Sequence, residues 1–184
     1  MRDKKDILLQ LLLLRCKQGD RQALLELVSQ WDRRLFYFIR RLVSQEDDAW
    51  DVLQQTWIKV LKGIGKVEDP RQFPVWLYLI ARRTAANHWR GYYREQSHMA
   101  ESPDMASIAD TEDNWPHEYA EEVHIGLGRI SIAHREVLTL YFMKDLTMEQ
   151  MAEVLAVPVG TIKSRLSYAK RALRAVLEEK EKHQ

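Results

Sequence analysis

Apolar residues recur along this chain at steps of three and four, the period of a helix with one buried face. The clearest instance lies between Leu146 and Leu173. Met151, Ala152 and Leu155 form the stripe of a short helix from about Met148 to Leu155. Thr147 is placed to cap it, with Gln150 three residues on to complete a capping box. Ala156 and Val157 make a tight turn, and Pro158 opens a second helix where its missing N–H costs nothing. Along that helix Val159, Ile162, Leu166, Ala169 and Leu173 share one face. The pattern predicts a helix-turn-helix.

The same period predicts four helices in the first half. One covers about Asp6 to Lys17 and stops at Gly19. The next runs from about Arg21 to Val43, with Asp20 as its cap. Its broad apolar face holds Leu24, Leu25, Val28, Trp31, Leu35, Phe38, Ile39 and Leu42. A third, about Asp47 to Lys62, ends at Gly63 and Gly65. It turns Ala49, Val52, Leu53, Trp57, Val60 and Leu61 inward and leaves Asp48, Asp51, Gln54, Gln55, Ile58 and Lys59 outside. Ile58 among those polar groups marks a candidate docking surface. The fourth starts at Pro74, since the residue before proline avoids helical geometry. It reaches about Arg94, with Trp76, Leu77, Ile80, Ala81 and Thr84 on its inner side. Further on, helices from about His117 to Leu127 and from Ala133 to Met143 would pack on the helix-turn-helix, the latter through Val137, Leu138 and Tyr141.

Charge changes this picture from helices to partners. Net charge is only +1, so any affinity for nucleic acid must come from local segregation. Between Val159 and Arg174 there are five basic residues and no acid. Lys163, Ser164, Ser167, Lys170, Arg171 and Arg174 fall on other faces. In a helix-turn-helix the second helix enters the major groove. A solvated hairpin face would also carry such charges, but the short turn, the stripe and the absence of acid favour DNA. From Arg82 to Arg94 there are four arginines and no acid, with Trp89, Tyr92 and Tyr93 between them. Arg83, Asn87, Arg90 and Arg94 align on one side. Basic groups interleaved with aromatics suit single-stranded nucleic acid. For each aromatic taken alone, packing against the second helix is the better reading. The loop from Gly65 to Phe73, restrained by Pro70 and Pro74, suits a pocket for a base drawn out of the duplex.

From Glu95 to Glu122 there are nine acids and no Lys or Arg. The stretch of about 96–116 reads as a tether that stays off DNA, in preference to a nucleic-acid mimic. The expected fold is all-α: two small helical domains, residues 1–95 and 117–184, joined by that acidic linker.

Other classes fall away. Cys16 is the only cysteine, so no disulfide within the chain or cysteine-based zinc site forms, and a buried thiol is favoured over a redox sensor. The six histidines show no metal-ligand spacing, and His117-Glu118 lacks the second histidine of a metalloprotease helix. Arg2, Lys4 and Lys5 before Leu8 to Leu14 imitate a secretory signal, but Arg15 spoils the cleavage site and the run is too short to span a bilayer. A cytoplasmic protein is expected. No Gly-rich phosphate loop or nucleophile motif is present, so neither an enzyme nor a cofactor is expected.

With these residues in view, the sequence resembles the extracytoplasmic-function (group IV) sigma factors of the sigma-70 family. Pro158–Leu173 (PVGTIKSRLSYAKRAL) is similar to that family's region 4.2, Asp51–Val60 to region 2.2, and Phe73–Arg90 to regions 2.3 and 2.4. The resemblance implies a factor that binds core RNA polymerase, through the β′ clamp coiled coil and the β flap, and directs it to promoter DNA. It implies that Asp48, Asp51, Gln54, Gln55 and Ile58 meet the clamp. Val67, Glu68, Asp69 and Arg71 of the loop, with Arg83, Asn87, Arg90 and Arg94, would engage the melted minus-ten element. Thr161, Lys163, Ser164, Arg165, Ser167, Tyr168, Lys170 and Arg171 would read the minus-thirty-five element. An anti-sigma factor is a further implied partner; a small-molecule substrate and membrane insertion are not. The sequence departs from the family pattern at Gln55, where an acid is usual, at Trp57, where Phe is, and at Arg83, where Asn is common.

Overall fold

The computed structural model describes residues 2–43, 45–96 and 126–181. The acidic linker and most of the helix expected from His117 to Leu127 lie outside them. Among the described residues the chain is helical and contains no strand.

Helix α1 spans Arg2–Lys17, α2 Arg21–Arg40, α3 Glu46–Gly63 and α4 Phe73–Gln96. Helix α1 begins earlier than the periodicity predicts, because its first turn holds no apolar residue to mark the period. Gly19 at φ +82 takes the left-handed turn that frees Asp20 to start α2. The Asp20 carboxylate accepts from the N–H groups of Gln22 and Ala23, at 2.9 and 3.1 Å. Helix α2 buries Ala23, Leu27, Trp31, Leu35, Phe38 and Ile39. Leu25, placed inward by the sequence pattern, is 58% exposed, and Leu61 of α3 is 43% exposed. Each follows a residue nearer its helix's inward stripe, and one step of about 100° carries it off. An aromatic cluster joins α2 to α4: Trp31 meets Phe73 edge-on at 5.7 Å, and Phe38 meets Tyr78 at 5.2 Å.

In the second half α5 spans Ile132–Met143, α6 Met148–Leu155 and α7 Val159–Glu181. Both halves of the Thr147–Gln150 capping box form, at 2.9 and 3.3 Å. Pro158 sits one residue before α7, and its carbonyl accepts from the Thr161 N–H at 2.9 Å. Ile162, Leu166 and Ala169 are buried, with Val159 and Leu173 packed against them. Thr147→Ala removes the cap and is expected to lower stability by about 1 kcal/mol, read as a fall in Tm of several degrees.

The halves are not held apart. Helix α4 packs on α6, and α2 on α5. Arg34 pairs with Asp145 at 2.6 Å, and the Tyr78 hydroxyl donates to the other oxygen of that carboxylate at 3.0 Å. Burial, then the Asp145 charge, pushes the Tyr78 phenol well above its ordinary range, so it remains a donor. Arg82 donates to both oxygens of Glu136, at 2.6 and 3.3 Å.

Three surface carboxylates are held below their ordinary values: Asp20 and Asp69 below 3.8 and Glu149 below 4.5. For Asp20 and Glu149 the main cause is a backbone N–H; for Asp69 it is Arg71. A depressed folded pKa means the stability is present above the unfolded value and is lost as pH falls through the folded one. Denaturant midpoints are therefore expected to be flat down to about pH 5 and to fall below about pH 4.

Candidate nucleic-acid interface

Two exposed faces carry positive charge. On α4, Arg83, Asn87 and Arg90 are all exposed and follow one another at steps of four and three. Arg90 donates to the Asn87 side-chain oxygen at 2.8 Å, which orients both groups outward as a pair. The side chains of Tyr92, Tyr93 and Arg94 lie outside the described residues. Arg82, next in sequence to Arg83, points the other way and is taken by Glu136. Trp89 is half-buried, and its indole N–H donates to the Leu42 carbonyl at 2.9 Å. It packs beside the end of α2, as the reading that favoured packing for single aromatics expects.

The loop before α4 is more constrained than its sequence suggests. Val67 is 7% exposed, and its carbonyl accepts from the Lys17 ammonium. Its side chain is part of the core and is not offered to a ligand. Asp69 caps the short helical turn Pro70–Gln72, accepting from the Arg71 N–H at 3.0 Å. The Arg71 guanidinium folds back onto the same carboxylate at 3.0 Å. Glu68 is exposed. From Glu68 to Arg71 the loop therefore presents carboxylates and one paired arginine, and Lys66 just before them is exposed.

On α7, Lys163, Ser164, Ser167, Tyr168, Lys170 and Arg171 are exposed, and Thr161 and Arg165 are half-buried. The Lys170 ammonium lies 4.3 Å above the Tyr141 ring, and the Arg171 guanidinium 4.8 Å from that of Tyr168. Rings under cations restrict their motion while leaving the charge facing outward. With no acid in this stretch, the face suits the phosphates and base edges of a duplex.

A third surface is polar and aromatic. Asp51, Gln54, Gln55 and Ile58 are exposed on α3. Asp48 is partly withdrawn, 3.0 Å from His88 of α4. A groove of about 360 Å³ between α2 and α3 is lined by Asp32, Trp50, Asp51, Leu53, Gln54 and Trp57. Trp50 is 49% exposed and stacks on Phe36 at 4.1 Å. The sequence reading missed Trp50. Its signal is a large aromatic one position before Asp51 and one turn before Gln54, off the inward stripe. Among the described residues, no group of three or more His, Cys, Asp or Glu is placed to hold a metal ion. No helix among them is long and apolar enough to cross a membrane. Cys16 is buried, and burial pushes its thiol up.

A helix-turn-helix with an acid-free outer face, coupled to a helical unit with an exposed arginine–asparagine ridge, is an arrangement suited to binding DNA. Comparison with known proteins agrees. The family model for Sigma-70 region 2 matches residues 27–95, and that for Sigma-70, region 4 matches residues 126–175. The chain is 30% identical to the RNA polymerase sigma-H factor of Pseudomonas aeruginosa, covering 92% of this chain and 93% of that relative. It is 29% identical to the ECF RNA polymerase sigma-E factor of Haemophilus influenzae, over 89% of this chain and 92% of the relative. In fold it is similar to the sigma factor RpoE of Bartonella quintana, solved in complex with the anti-sigma factor NepR. That likeness has a TM-score of 0.75 at 24% identity and covers 83% of this chain and 95% of the other. The chain belongs to the sigma-70 family, and within it to the extracytoplasmic-function RNA polymerase sigma factors. It is a DNA-binding transcription initiation factor.

Proposed function

We propose that this sigma factor binds core RNA polymerase through α3, carries it to a promoter, and stabilises the opened strands there without covalent chemistry of its own. The observation that carries this reading is the pair of exposed cationic faces, Arg83–Asn87–Arg90 on α4 and Lys163 to Arg171 on α7, on different halves of one chain. The α7 face reads the minus-thirty-five duplex, with Lys163, Lys170 and Arg171 at phosphates and Ser164, Ser167 and Tyr168 toward the bases. The α4 ridge, with Arg94 and the Glu68–Arg71 loop, engages the melted minus-ten strand.

Asp48, Asp51, Gln54, Gln55 and Ile58 face the β′ clamp coiled coil, and Trp50 in the adjoining groove is its anchor. Exposed aromatics beside polar groups are the usual hot spots of interfaces. Trp50→Ala is expected to weaken core binding by roughly thirty-fold, about 2 kcal/mol, measured by fluorescence anisotropy with core enzyme. An unchanged affinity removes Trp50 from the interface. The second half meets the β flap. The protein acts in the cytoplasm, where promoter and polymerase are, and an anti-sigma factor of the kind bound to the Bartonella relative is its regulator. Run-off transcription tests the reading: core enzyme with this protein starts RNA at a cognate promoter, and core alone does not. No transcript from any promoter of a genomic template would refute it.

A further inference from the structure

Helix α1 is apolar on two sides, and the fold covers one of them. From Ile7 to Leu14 every residue except Gln10 is Ile or Leu. Leu12, Leu13 and Cys16 are buried, with Leu9 packed against them. On that side α1 meets α2 and the short helical turns at 64–66 and 70–72. Ile7, Leu8, Leu11 and Leu14 face away and are 54%, 58%, 54% and 50% exposed. At about 100° per residue these four fall within one arc of about 120°, opposite the buried stripe. A helix apolar all round belongs in an interior, and α1 has an interior on one side only. Neither the exposed ridges of α4 and α7 nor the groove around Trp50 makes use of this face.

Four half-exposed aliphatic side chains offer on the order of 400 Å², a size at which a patch on a monomer is often functional. Two copies meeting through it would bury about 800 Å², the size of a lattice contact and below the roughly 1,200 Å² of a stable interface. Ile7, Leu11 and Leu14 also supply under two heptads of a coiled-coil seam, where about three are needed. A second copy is therefore a poor fit. Charge points to an anionic surface. Helix α1 carries five basic residues, Arg2, Lys4, Lys5, Arg15 and Lys17, against Asp3 and Asp6, a net of +3 in a chain whose total is +1. The bases bracket the apolar run. Arg15 and Lys17 are engaged by Asp20, Glu26 and the Val67 carbonyl, so the attraction rests mainly on the three that precede the run. A single convex helix offers no groove to a partner's side chains. A bilayer needs none, since an interfacial helix beds about 5–10 Å deep at the headgroup boundary.

We propose that α1 is a peripheral membrane contact: Ile7, Leu8, Leu11 and Leu14 bed into the surface of an anionic phospholipid bilayer without spanning it, and the basic residues at the start of the helix are drawn to its headgroups. The contact belongs to the free chain and does not depend on the promoter reading above. Shallow apolar burial and attraction by a few cations are each weak, so the association is reversible and weakens with salt.

Vesicle flotation of the full chain tests this. Vesicles of phosphatidylglycerol and phosphatidylethanolamine are expected to carry the protein at low salt and to release it as salt rises. Vesicles of phosphatidylcholine alone are expected to bind roughly ten-fold more weakly or worse. Leu11→Gln with Leu14→Gln alters two exposed positions to another good helix former and is expected to weaken binding to the anionic vesicles roughly a hundred-fold or more. Lys4→Glu with Lys5→Glu is expected to weaken it roughly thirty-fold. Lys163→Glu with Lys170→Glu, on α7, is expected to change it by less than about two-fold, because those charges lie outside the helix that touches lipid. Circular dichroism checks that each variant is folded. An unaltered protein that ignores anionic vesicles would overturn the contact, as would undiminished binding by the leucine variant. A larger loss from the α7 reversal than from the leucine pair would assign the adsorption to the DNA-reading face instead. A dimer in sedimentation that the leucine variant abolishes would give the face to a second copy. Loss of core-enzyme affinity in that variant would give it to polymerase. Each of these three results also overturns the lipid contact.

Discussion

Arg90→Ala is expected to slow promoter opening by roughly ten- to a hundred-fold while leaving capture of duplex promoter DNA nearly unchanged. Arg90 is exposed on α4 and is oriented by its hydrogen bond to Asn87 at 2.8 Å. In the proposed function this guanidinium holds a phosphate, or stacks on a base, of the parted strand. Losing a hydrogen bond to a charged group costs about 1.5–3 kcal/mol, and each 1.4 kcal/mol is a factor of ten in rate or affinity. If, as proposed, the interaction forms in the opened complex and not in the closed one, the loss falls on opening. Fluorescence of 2-aminopurine in the minus-ten element reads opening, and gel shift of the closed complex reads capture. Asn87→Ala, which removes the group that orients Arg90, is expected to give a smaller loss of the same kind. Equal loss of capture and opening would place Arg90 on the duplex-reading side and contradict this assignment.

Reversing two charges on α7, Lys163→Glu with Lys170→Glu, is expected to have the opposite signature. Both lysines are exposed on a helix face without acid. Removing a side chain that holds a phosphate or a base edge costs about 1–3 kcal/mol, and the introduced carboxylates add repulsion. Capture of duplex promoter is therefore expected to fall by roughly a hundred-fold or more, and the slope of log affinity against log salt to fall by about one for each phosphate no longer neutralised. Core binding in the absence of DNA is expected to change far less, since neither lysine is on α3 or lines the groove around Trp50. A variant with wild-type capture and wild-type salt slope would remove α7 from the interface with DNA.

Much of the fold was legible because the buried stripes have a clean helical period. Helix α6 and its capping box fall where the spacing of Thr147, Gln150, Met151 and Leu155 puts them. The cap Asp20 and the break at Gly19 are equally local, and local chemistry is what a sequence displays. Leu25 and Leu61 read as inward because hydrophobicity alone does not resolve a residue at the edge of a stripe. Val67 reads as part of a binding loop because nothing in GKVEDPRQF tells which loop residue the core takes. The docking of the two halves could not be read at all. Arg82–Glu136 joins residues 54 apart, and Arg34–Asp145 joins residues 111 apart. Each partner looks like an ordinary surface charge within its own stretch of chain. The same holds for Trp50, whose stacking on Phe36 depends on how α2 and α3 cross.

Site-specific photo-crosslinking of the initiation complex tests most directly whether one chain reads two promoter elements. A crosslinking residue in place of Asn87 and, in a second protein, of Ser167 is incorporated, and each is assembled with core enzyme on the same end-labelled promoter. Position 87 is expected to mark only the opened strand near the start site. Position 167 is expected to mark intact duplex about two and a half helical turns upstream. Crosslinks from both positions to a single stretch of DNA, or none from either, would contradict the division of labour between α4 and α7.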